Sequence, residues 1–214
     1  MAAAFVVGGG PSLTGFQFSR LNGVDSIVTN AAILNCKAKY FITIDYTFLK
    51  KIRQHTQAFQ THKASKFFVA NLASGNLTEA RGGFICSKLK RGYDLSKFDV
   101  VIKSRRCDGL SFQWKGFRSG NNSGFCALQL AVLLGYSEIY LLGIDLTYSG
   151  KMHTHYHNIY GGRPARFDSR LAAYYNYFET GICDLKESGI KVYSCSEISL
   201  LNRHIPYIPI DKVL

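Results

Sequence analysis

Short apolar runs that end in a polar residue recur along the chain and predict the strands of a sheet. The first is Ala4-Phe5-Val6-Val7, and further runs of this kind span residues 26–29, 40–44, 66–69, 98–102, 138–142 and 190–194. Continuous apolar runs, rather than alternating ones, are typical of parallel strands that are buried on both faces. The pattern therefore predicts a parallel sheet that is covered on both sides.

Helical segments separate several of these runs. The clearest follows Asn121-Asn122-Ser123-Gly124, which supplies N-cap side chains and a glycine for close approach, and it ends at Gly135. Helices are also predicted over 46–58 and 167–188. Strands that alternate with helices predict an α/β fold, with a doubly wound, mostly parallel Rossmann-like sheet, helices on both faces and a small lid.

The length of 214 residues favours a single Rossmann-like domain over 1–214, with a lid-like insertion at about 147–166. Hydrophobic residues make up 47% of the chain and charged residues 19%, which argues against general disorder. No apolar run reaches the roughly 18 residues of a membrane span, and the first residues lack the basic region of a secretory signal. We therefore expect a cytoplasmic protein and leave peripheral attachment to a membrane open.

The cysteines favour buried free thiols over zinc binding or disulfides. They never form a C-x-x-C pair, and most lie in apolar runs. The six cysteines are at positions 36, 86, 107, 126, 183 and 195.

The net charge of +12 is concentrated in the middle of the chain, where residues 50–118 hold fifteen Lys and Arg against four acids. A basic surface suits nucleic acid, an anionic membrane or glycolipid, or a phosphorylated substrate, and composition does not choose among them. A solvated basic face without a partner is an equal alternative. We expect residues 50–118 to bind polyanions weakly, with an affinity that falls as salt rises.

Polar residues follow several predicted strands, and ligands of doubly wound sheets bind beyond the carboxyl ends of the strands. The loop from Gly8 to Ser12 is predicted to offer backbone N–H groups and a hydroxyl to a phosphate, with a purely structural turn as the alternative. It is not a dinucleotide fingerprint, because Leu13 stands where that motif needs glycine. The candidate crevice comprises Gly8, Gly9, Gly10, Ser12, Asn30, Asp45, Asn122, Ser123, Gly124 and Asp145.

Asp45 and Asp145 each follow an apolar strand. A carboxylate at such a position can hold a metal, bind a ribose hydroxyl or cap a helix N-terminus. Capping and ligand binding remain open for both residues.

Three of the six histidines fall within five residues, at His153, His155 and His157. Imidazole can serve as a base or a metal ligand near neutral pH. A role in acid–base chemistry or substrate contact is favoured over a metal site and over an incidental polar loop. Tyrosines flank the histidines on a segment bounded by glycines, which predicts a mobile lid with stacking rings: Tyr148, Tyr156 and Tyr160.

Several segments together resemble the bacterial sialyltransferases of glycosyltransferase family 42. They are Gly8-Gly9-Gly10-Pro11-Ser12-Leu13, Phe18-Ser19-Arg20-Leu21, Asn30, Ser123-Gly124 and residues 134–146. The order and spacing are also similar to a wider group that includes archaeal hydroxymethylpterin diphosphokinase. The resemblance covers roughly 1–50 and 119–200, and residues 60–118 are unmatched.

The family 42 resemblance implies a transferase that moves a sugar from a CMP-type donor to a glycan or glycolipid acceptor without a cofactor. It implies His157, or second His155, as the base, and Tyr156 and Tyr160 as ligands of the departing phosphate. The family carries asparagine where this chain has Asp45, and that departure favours a metal–nucleotide. The implied nucleotide contacts are Gly8, Gly10, Ser12, Asn30, Asp45, Asn122, Ser123 and Gly124.

Two alternatives stay open. The diphosphokinase relatives imply Asp45 and Asp145 around Mg²⁺, with transfer of pyrophosphate from ATP. A third interpretation is a non-catalytic protein that binds polyanions. We prefer the transferase, and the sequence does not predict an oligomeric state.

Overall fold

A computed structural model of the chain describes residues 2–45, 48, 56–71, 77–80, 83–86, 98–105, 107–147, 155–156 and 167–214. The strands in this part are β1 (Ala3–Val7), β2 (Ser26–Thr29), β3 (Tyr40–Thr43), β4 (Ser65–Asn71), β5 (Leu77–Ala80), β6 (Gly83–Cys86), β7 (Val100–Ser104), β8 (Glu138–Leu142) and β9 (Lys191–Ser194). The α-helices are α1 (Thr56–Thr61), α2 (Ser123–Leu133) and α3 (Phe167–Glu187).

Seven of the described strands form one sheet in the order β7-β4-β3-β2-β1-β8-β9. Every neighbouring pair in this sheet is parallel. The chain builds outward from β1 through β2, β3 and β4 on one side, and β8 and β9 follow on the other side. The order therefore reverses between β1 and β8, which is the place where doubly wound sheets open a ligand crevice. The predicted fold class is confirmed.

Both faces of the sheet are buried, as the continuous apolar runs predict. In β1, Ala4 and Val6 face a core layer with α2 and α3, whereas Phe5 and Val7 face the opposite layer. That opposite layer is rich in phenylalanine, and the rings of Phe41 and Phe59 lie 5.4 Å apart. Neighbouring residues of one strand thus serve two different core layers.

The helix ends follow the predicted capping chemistry. The Asn122 side chain accepts a hydrogen bond of 3.1 Å from the Phe125 N–H at the start of α2. Gly135 follows α2 with φ of 83°, and Gly189 follows α3 with φ of 76°. Glycine adopts this left-handed conformation without steric cost, and so ends each helix. Of the predicted helix over 46–58, only residues 48 and 56–58 lie within the described residues.

The weakly periodic stretch 71–118 contains two features that its pattern did not predict. Strands β5 and β6 pair as an antiparallel hairpin outside the main sheet. Residues 107–118 pack against α2 and α3, where Gln129 accepts a hydrogen bond of 2.8 Å from the Ser111 N–H. Within this segment, Leu110 and Phe117 are buried. These contacts are distant in sequence, and local periodicity does not encode them.

Cys36, Cys107, Cys126, Cys183 and Cys195 are free, and Cys36, Cys126 and Cys195 are buried as expected. Burial raises the pKa of Cys36 to about 11 and that of Cys195 to about 12, so these thiols stay protonated near neutral pH. Cys183 is exposed, and for this residue the expectation of burial is wrong.

None of the helices that the structure describes has the length and hydropathy needed to cross a bilayer.

Candidate functional site

The carboxyl ends of the central strands lie level with one another. Val7 at the end of β1 pairs with Val28 of β2 and with Leu142 at the end of β8. Thr29 at the end of β2 pairs with Ile42 of β3. The residues that follow these strands therefore lie along one edge of the sheet, which we call the carboxyl edge. It brings together the ends of β1, β2, β3 and β8.

The glycine loop after β1 packs closely on the turn that follows β8. The Gly8 N–H donates to the Leu142 carbonyl and the Gly10 N–H donates to the Gly143 carbonyl, each at 2.8 Å. A Cβ atom at Gly8 would lie 2.4 Å from the Gly143 carbonyl oxygen, which is shorter than any ordinary contact. Glycine is required at Gly8 because another backbone approaches it.

Asp145 caps the short 3₁₀ turn Pro11–Leu13. One carboxylate oxygen accepts from the Ser12 N–H at 2.8 Å, and the other accepts from the Ser12 hydroxyl at 2.7 Å. Asp145 is only 2% exposed, and a Cβ atom at Gly10 would lie 2.3 Å from its Oδ2. The capping alternative is therefore the one that the structure shows for Asp145.

These contacts correct one expectation about the loop. The N–H groups of Gly8, Gly10 and Ser12 all donate within the protein, so they are not a row of free donors for a phosphate. The expectation that the loop exposes these groups is wrong because the turn after β8 lies against it. The Gly9 carbonyl, in turn, accepts a hydrogen bond from the Tyr156 N–H.

Asn30 stands directly after β2 with φ of 49°, a left-handed conformation that asparagine tolerates better than most residues. Its Oδ1 accepts a hydrogen bond of 2.7 Å from the Thr43 hydroxyl. The Thr43 oxygen in turn accepts from the Asp45 N–H at 3.0 Å. Sequence reasoning missed Thr43, although a hydroxyl at the end of an apolar strand is a signal that could have found it.

The turn at Asn122, Ser123 and Gly124 begins α2 at the same edge. The Ser123 hydroxyl accepts a hydrogen bond of 3.3 Å from the Ile44 N–H, which joins the start of α2 to the end of β3. Asn30 and Ser123 are thus tied to adjacent residues of one strand end. The first backbone N–H groups of an α-helix carry partial positive charge, so this position favours an anion.

Tyr156 lies on the glycine loop. Its N–H donates to the Gly9 carbonyl at 3.0 Å, and its phenol oxygen accepts from the Asn35 amide at 2.9 Å. Its ring lies 5.3 Å from the ring of Phe18. Burial raises the pKa of Tyr156, opposed by the Asn35 hydrogen bond, so the phenol keeps its proton at neutral pH. Nothing in the sequence pattern marked Asn35 as its partner.

His155 is half-buried next to Tyr156. Burial lowers the pKa of His155 below the usual 6.5, and the negative charge of Asp45 partly opposes that shift. A neutral imidazole near a carboxylate can accept a proton, and the carboxylate then stabilises the imidazolium that forms. Asp45 is therefore close enough to His155 to influence the pKa of its ring.

Other predicted lid residues lie outside the described residues. These are Tyr148, His153, His157 and Tyr160, and only residues 147, 155 and 156 of the lid-like segment 147–166 are described. The roles of His157, Tyr148 and Tyr160 stay predictions.

Within the described ranges, no three His, Cys, Asp or Glu side chains converge to hold a metal ion. The predicted Mg²⁺ pair of Asp45 and Asp145 has one member whose two oxygens already accept from Ser12. Asp145 is also buried. The arrangement of Asp145 fits a cap better than a metal ligand.

No protein-family model matches the sequence, and no curated protein matches it. Solved structures share its fold. The sialyltransferase CstII from Campylobacter jejuni, in complex with the substrate analogue CMP-3FNeuAc, aligns over 98% of this chain and 87% of its own, with 17% identity and a TM-score of 0.51. A structure of monomeric CstII aligns over 98% and 86%, with 17% identity and a TM-score of 0.50.

The MAf glycosyltransferase from Magnetospirillum magneticum AMB-1 aligns over 98% of this chain but only 34% of its own, with 12% identity and a TM-score of 0.52. At these identities the likeness is one of fold. The chain has the α/β Rossmann-like fold that these glycosyltransferases also have.

Proposed function

We propose that the chain is a glycosyltransferase of sialyltransferase type, which moves a sugar from a CMP-type donor to a glycan acceptor. The observation that carries the proposal is the convergence of Asn30, Ser123 and His155 at the carboxyl edge. Asn30 and Ser123 are tied to adjacent residues of one strand end, and His155 lies near Asp45 at that same end. The fold likeness to a sialyltransferase in complex with CMP-3FNeuAc supports the donor class.

In the proposed reaction, the donor phosphate lies at the N-terminus of α2, where Ser123 and the helix dipole favour negative charge. The glycosidic C–O bond breaks, and its electron pair leaves on the phosphate of CMP. The acceptor hydroxyl oxygen forms the new bond to the same carbon from the opposite side. One such displacement inverts the configuration at that carbon.

His155 takes the proton of the acceptor hydroxyl in this proposal, and Asp45 stabilises the resulting imidazolium. The protonated phenol of Tyr156 donates a hydrogen bond to the departing phosphate. His157, the first choice for the base from the sequence, lies outside the described residues and is tested beside His155. Because Asp145 is committed to Ser12, we propose that these steps proceed without Mg²⁺.

We also propose that the protein is cytoplasmic. Its basic region, residues 50–118, would bind an anionic acceptor or an anionic membrane surface. Among its described residues, Arg105 and Arg118 pair across an isolated β-bridge, and Lys115 is exposed beside them in sequence. Contacts between exposed charges weaken as salt screens them. Binding to an anionic glycolipid should therefore fall steeply between low and physiological salt, as a vesicle sedimentation assay would measure.

The proposed function is tested by incubating the protein with CMP-sialic acid and a glycan acceptor, with Mg²⁺ or with EDTA. We expect release of CMP that depends on the acceptor and is unchanged by EDTA. Ser123→Ala should weaken donor use, because it removes a hydroxyl at the helix start. Ser188→Ala is the matched control, since Ser188 follows the C-terminal end of α3 and its hydroxyl donates to the Leu185 carbonyl.

Two results would contradict the proposal. Transfer of pyrophosphate from ATP, dependent on Mg²⁺, would favour the diphosphokinase interpretation. Binding of polyanions without turnover of any CMP-sugar would favour the non-catalytic one.

A further inference from the structure

Thr43 is a fully buried residue at the end of β3, and its hydroxyl makes two hydrogen bonds at the carboxyl edge. It donates to Asn30 Oδ1 at 2.7 Å and accepts from the Asp45 N–H at 3.0 Å. A buried hydroxyl costs free energy unless it is hydrogen-bonded, and here both of its roles are used. The hydroxyl proton is directed at Asn30 because the Asp45 N–H is on its other side.

This bond fixes which end of the Asn30 amide faces the crevice. A carboxamide has one oxygen that only accepts and one nitrogen that only donates. With Oδ1 held by Thr43, Nδ2 points away from Thr43, and in the described part of the chain it has no hydrogen-bond partner. Asn30 is half-buried, so its N–H groups remain accessible to a bound molecule.

Ser123 likewise uses its acceptor within the protein and keeps a donor for a ligand. Its oxygen accepts from the Ile44 N–H, which leaves the hydroxyl proton free to donate. The start of α2 adds backbone N–H groups. The edge between β2, β3 and α2 therefore offers donors, and a ligand would meet it with acceptor atoms such as phosphate or carbonyl oxygens.

We propose that Thr43 is a positioning residue that holds Asn30 with its donors toward the ligand and so selects for acceptor atoms. This inference rests on the proposed function, because it takes the carboxyl edge as the nucleotide site. Without the Thr43 hydroxyl, the Asn30 amide is free to turn and present its oxygen. An acceptor facing an acceptor loses a hydrogen bond and repels the ligand.

The test is a double-mutant cycle on CMP affinity, measured by isothermal titration calorimetry. Thr43→Val keeps the shape of the side chain and removes the hydroxyl, and we expect CMP to bind about 3- to 10-fold more weakly. Asn30→Gly removes the amide at a φ that glycine accepts. The double variant should bind no more weakly than Asn30→Gly alone, because Thr43 acts through Asn30.

Two further variants control the cycle. Thr43→Ser retains the hydroxyl and should restore nearly the wild-type affinity. Thr180→Val removes a threonine hydroxyl that accepts from the Gly109 N–H, away from the carboxyl edge, and should leave CMP affinity unchanged. Should Thr43→Val fail to fold, Thr43→Ala provides the same comparison.

Additive effects of Thr43→Val and Asn30→Gly, or wild-type affinity in a folded Thr43→Val protein, would overturn the role of Thr43. Failure of the wild-type protein to bind CMP would instead count against the proposed function. In that case the side-chain amide resonances of Asn30 give a ligand-free readout. They should shift in Thr43→Val and return in Thr43→Ser, and unchanged resonances would overturn the positioning role by themselves.

Discussion

The two edges of the sheet are both polar, but their polar groups have different partners. At the amino edge, Asp25, Lys39 and Tyr136 each precede a strand. One Asp25 oxygen accepts from Lys39 at 2.7 Å and from the Tyr136 hydroxyl at 2.6 Å. The Lys39 hydrogen bond, and then that of Tyr136, lower the pKa of Asp25. Lys39 and Tyr136 thus donate to the same Asp25 oxygen.

The carboxyl edge contains one pair of residues that bond each other and several groups with hydrogen-bonding atoms that remain available. Both carboxylate oxygens of Asp145 accept from Ser12. In the hydrogen bonds described, Asn30 and Ser123 instead use only their acceptor atoms, so the Asn30 amide N–H groups and the Ser123 hydroxyl proton remain available. The comparison teaches that polarity alone does not mark a site. In our proposal, the site is marked by polar groups of which one atom is hydrogen-bonded within the protein and another remains available to a ligand.

The largest expected effect is on turnover. His155→Ala should lower transfer by roughly 10²- to 10⁴-fold, because it removes the proposed base, while donor affinity stays nearly unchanged. Steady-state kinetics with a CMP-sugar donor would measure the loss. His157→Ala is compared under the same conditions.

His204→Ala is the control for this pair, because His204 contacts Tyr175 on α3 and is not part of the candidate site. Full activity in both His155→Ala and His157→Ala would show that neither imidazole is the base. Loss of activity in His157→Ala alone would assign the base to His157 and would contradict the proposed role of Asp45 beside His155.

The second effect concerns pH. The pKa of His155 lies below 6.5, so the imidazole is neutral at pH 7 and can accept a proton. Activity should fall about tenfold per pH unit once the pH is below that pKa, since the protonated ring cannot accept a proton. A pH–rate profile with a half-maximum well above 6.5 would contradict the assignment.

The same shift changes stability with a defined sign. The unfolded chain binds this proton more readily than the folded protein, so the free energy of unfolding decreases as pH falls below 6.5 through the folded pKa. His155→Gln should flatten that part of the curve of unfolding free energy against pH in urea titrations.

The third effect is on stability and concerns the hydrogen bonds between Asp145 and Ser12. Asp145→Ala leaves the Ser12 N–H and hydroxyl without their buried acceptor, and should lower the free energy of unfolding by about 2–4 kcal/mol. Urea denaturation measures this change. Asp211→Ala removes an exposed partner of Arg20 and should cost less than about 1 kcal/mol. Equal losses of unfolding free energy in the two variants would mean that the Asp145–Ser12 contact stabilises the fold no more than an exposed ion pair does.

Much of the fold could be predicted from the sequence because it depends on local patterns. The apolar runs of β1 and β8, and the caps of α2, lie where single segments encode them. The hairpin of β5 and β6 has no such run. Segment 107–118 is held by Gln129 on a distant helix, so no local pattern predicts it.

The sequence could predict which polar residues lie at the carboxyl edge, but not which of their hydrogen-bonding groups are paired. Topology places Asn30 and Ser123 at one edge, and the structure brings them together. Whether a polar group is free or paired depends on its neighbours in space. Sequence therefore left Asp145 open between cap and ligand, and it missed Thr43 and Asn35 as partners.

The smallest effect is expected at the amino edge. Lys39→Ala removes an ion pair in which Lys39 is 50% exposed, and such pairs contribute about 0–1 kcal/mol. Thermal unfolding should shift little, and CMP affinity should not change. A clear loss of CMP affinity would show that the two edges are not independent.

The most direct test of the central proposal, that the carboxyl edge binds a cytidine nucleotide without metal, is a thermal-shift comparison of CMP, CDP, UDP and ATP, each with Mg²⁺ and with EDTA. Any ligand that binds only the folded state raises the unfolding temperature. We expect CMP to stabilise the protein equally under both conditions, and Ser123→Ala to reduce that stabilisation. Stabilisation by ATP alone, and only with Mg²⁺, would contradict the proposal.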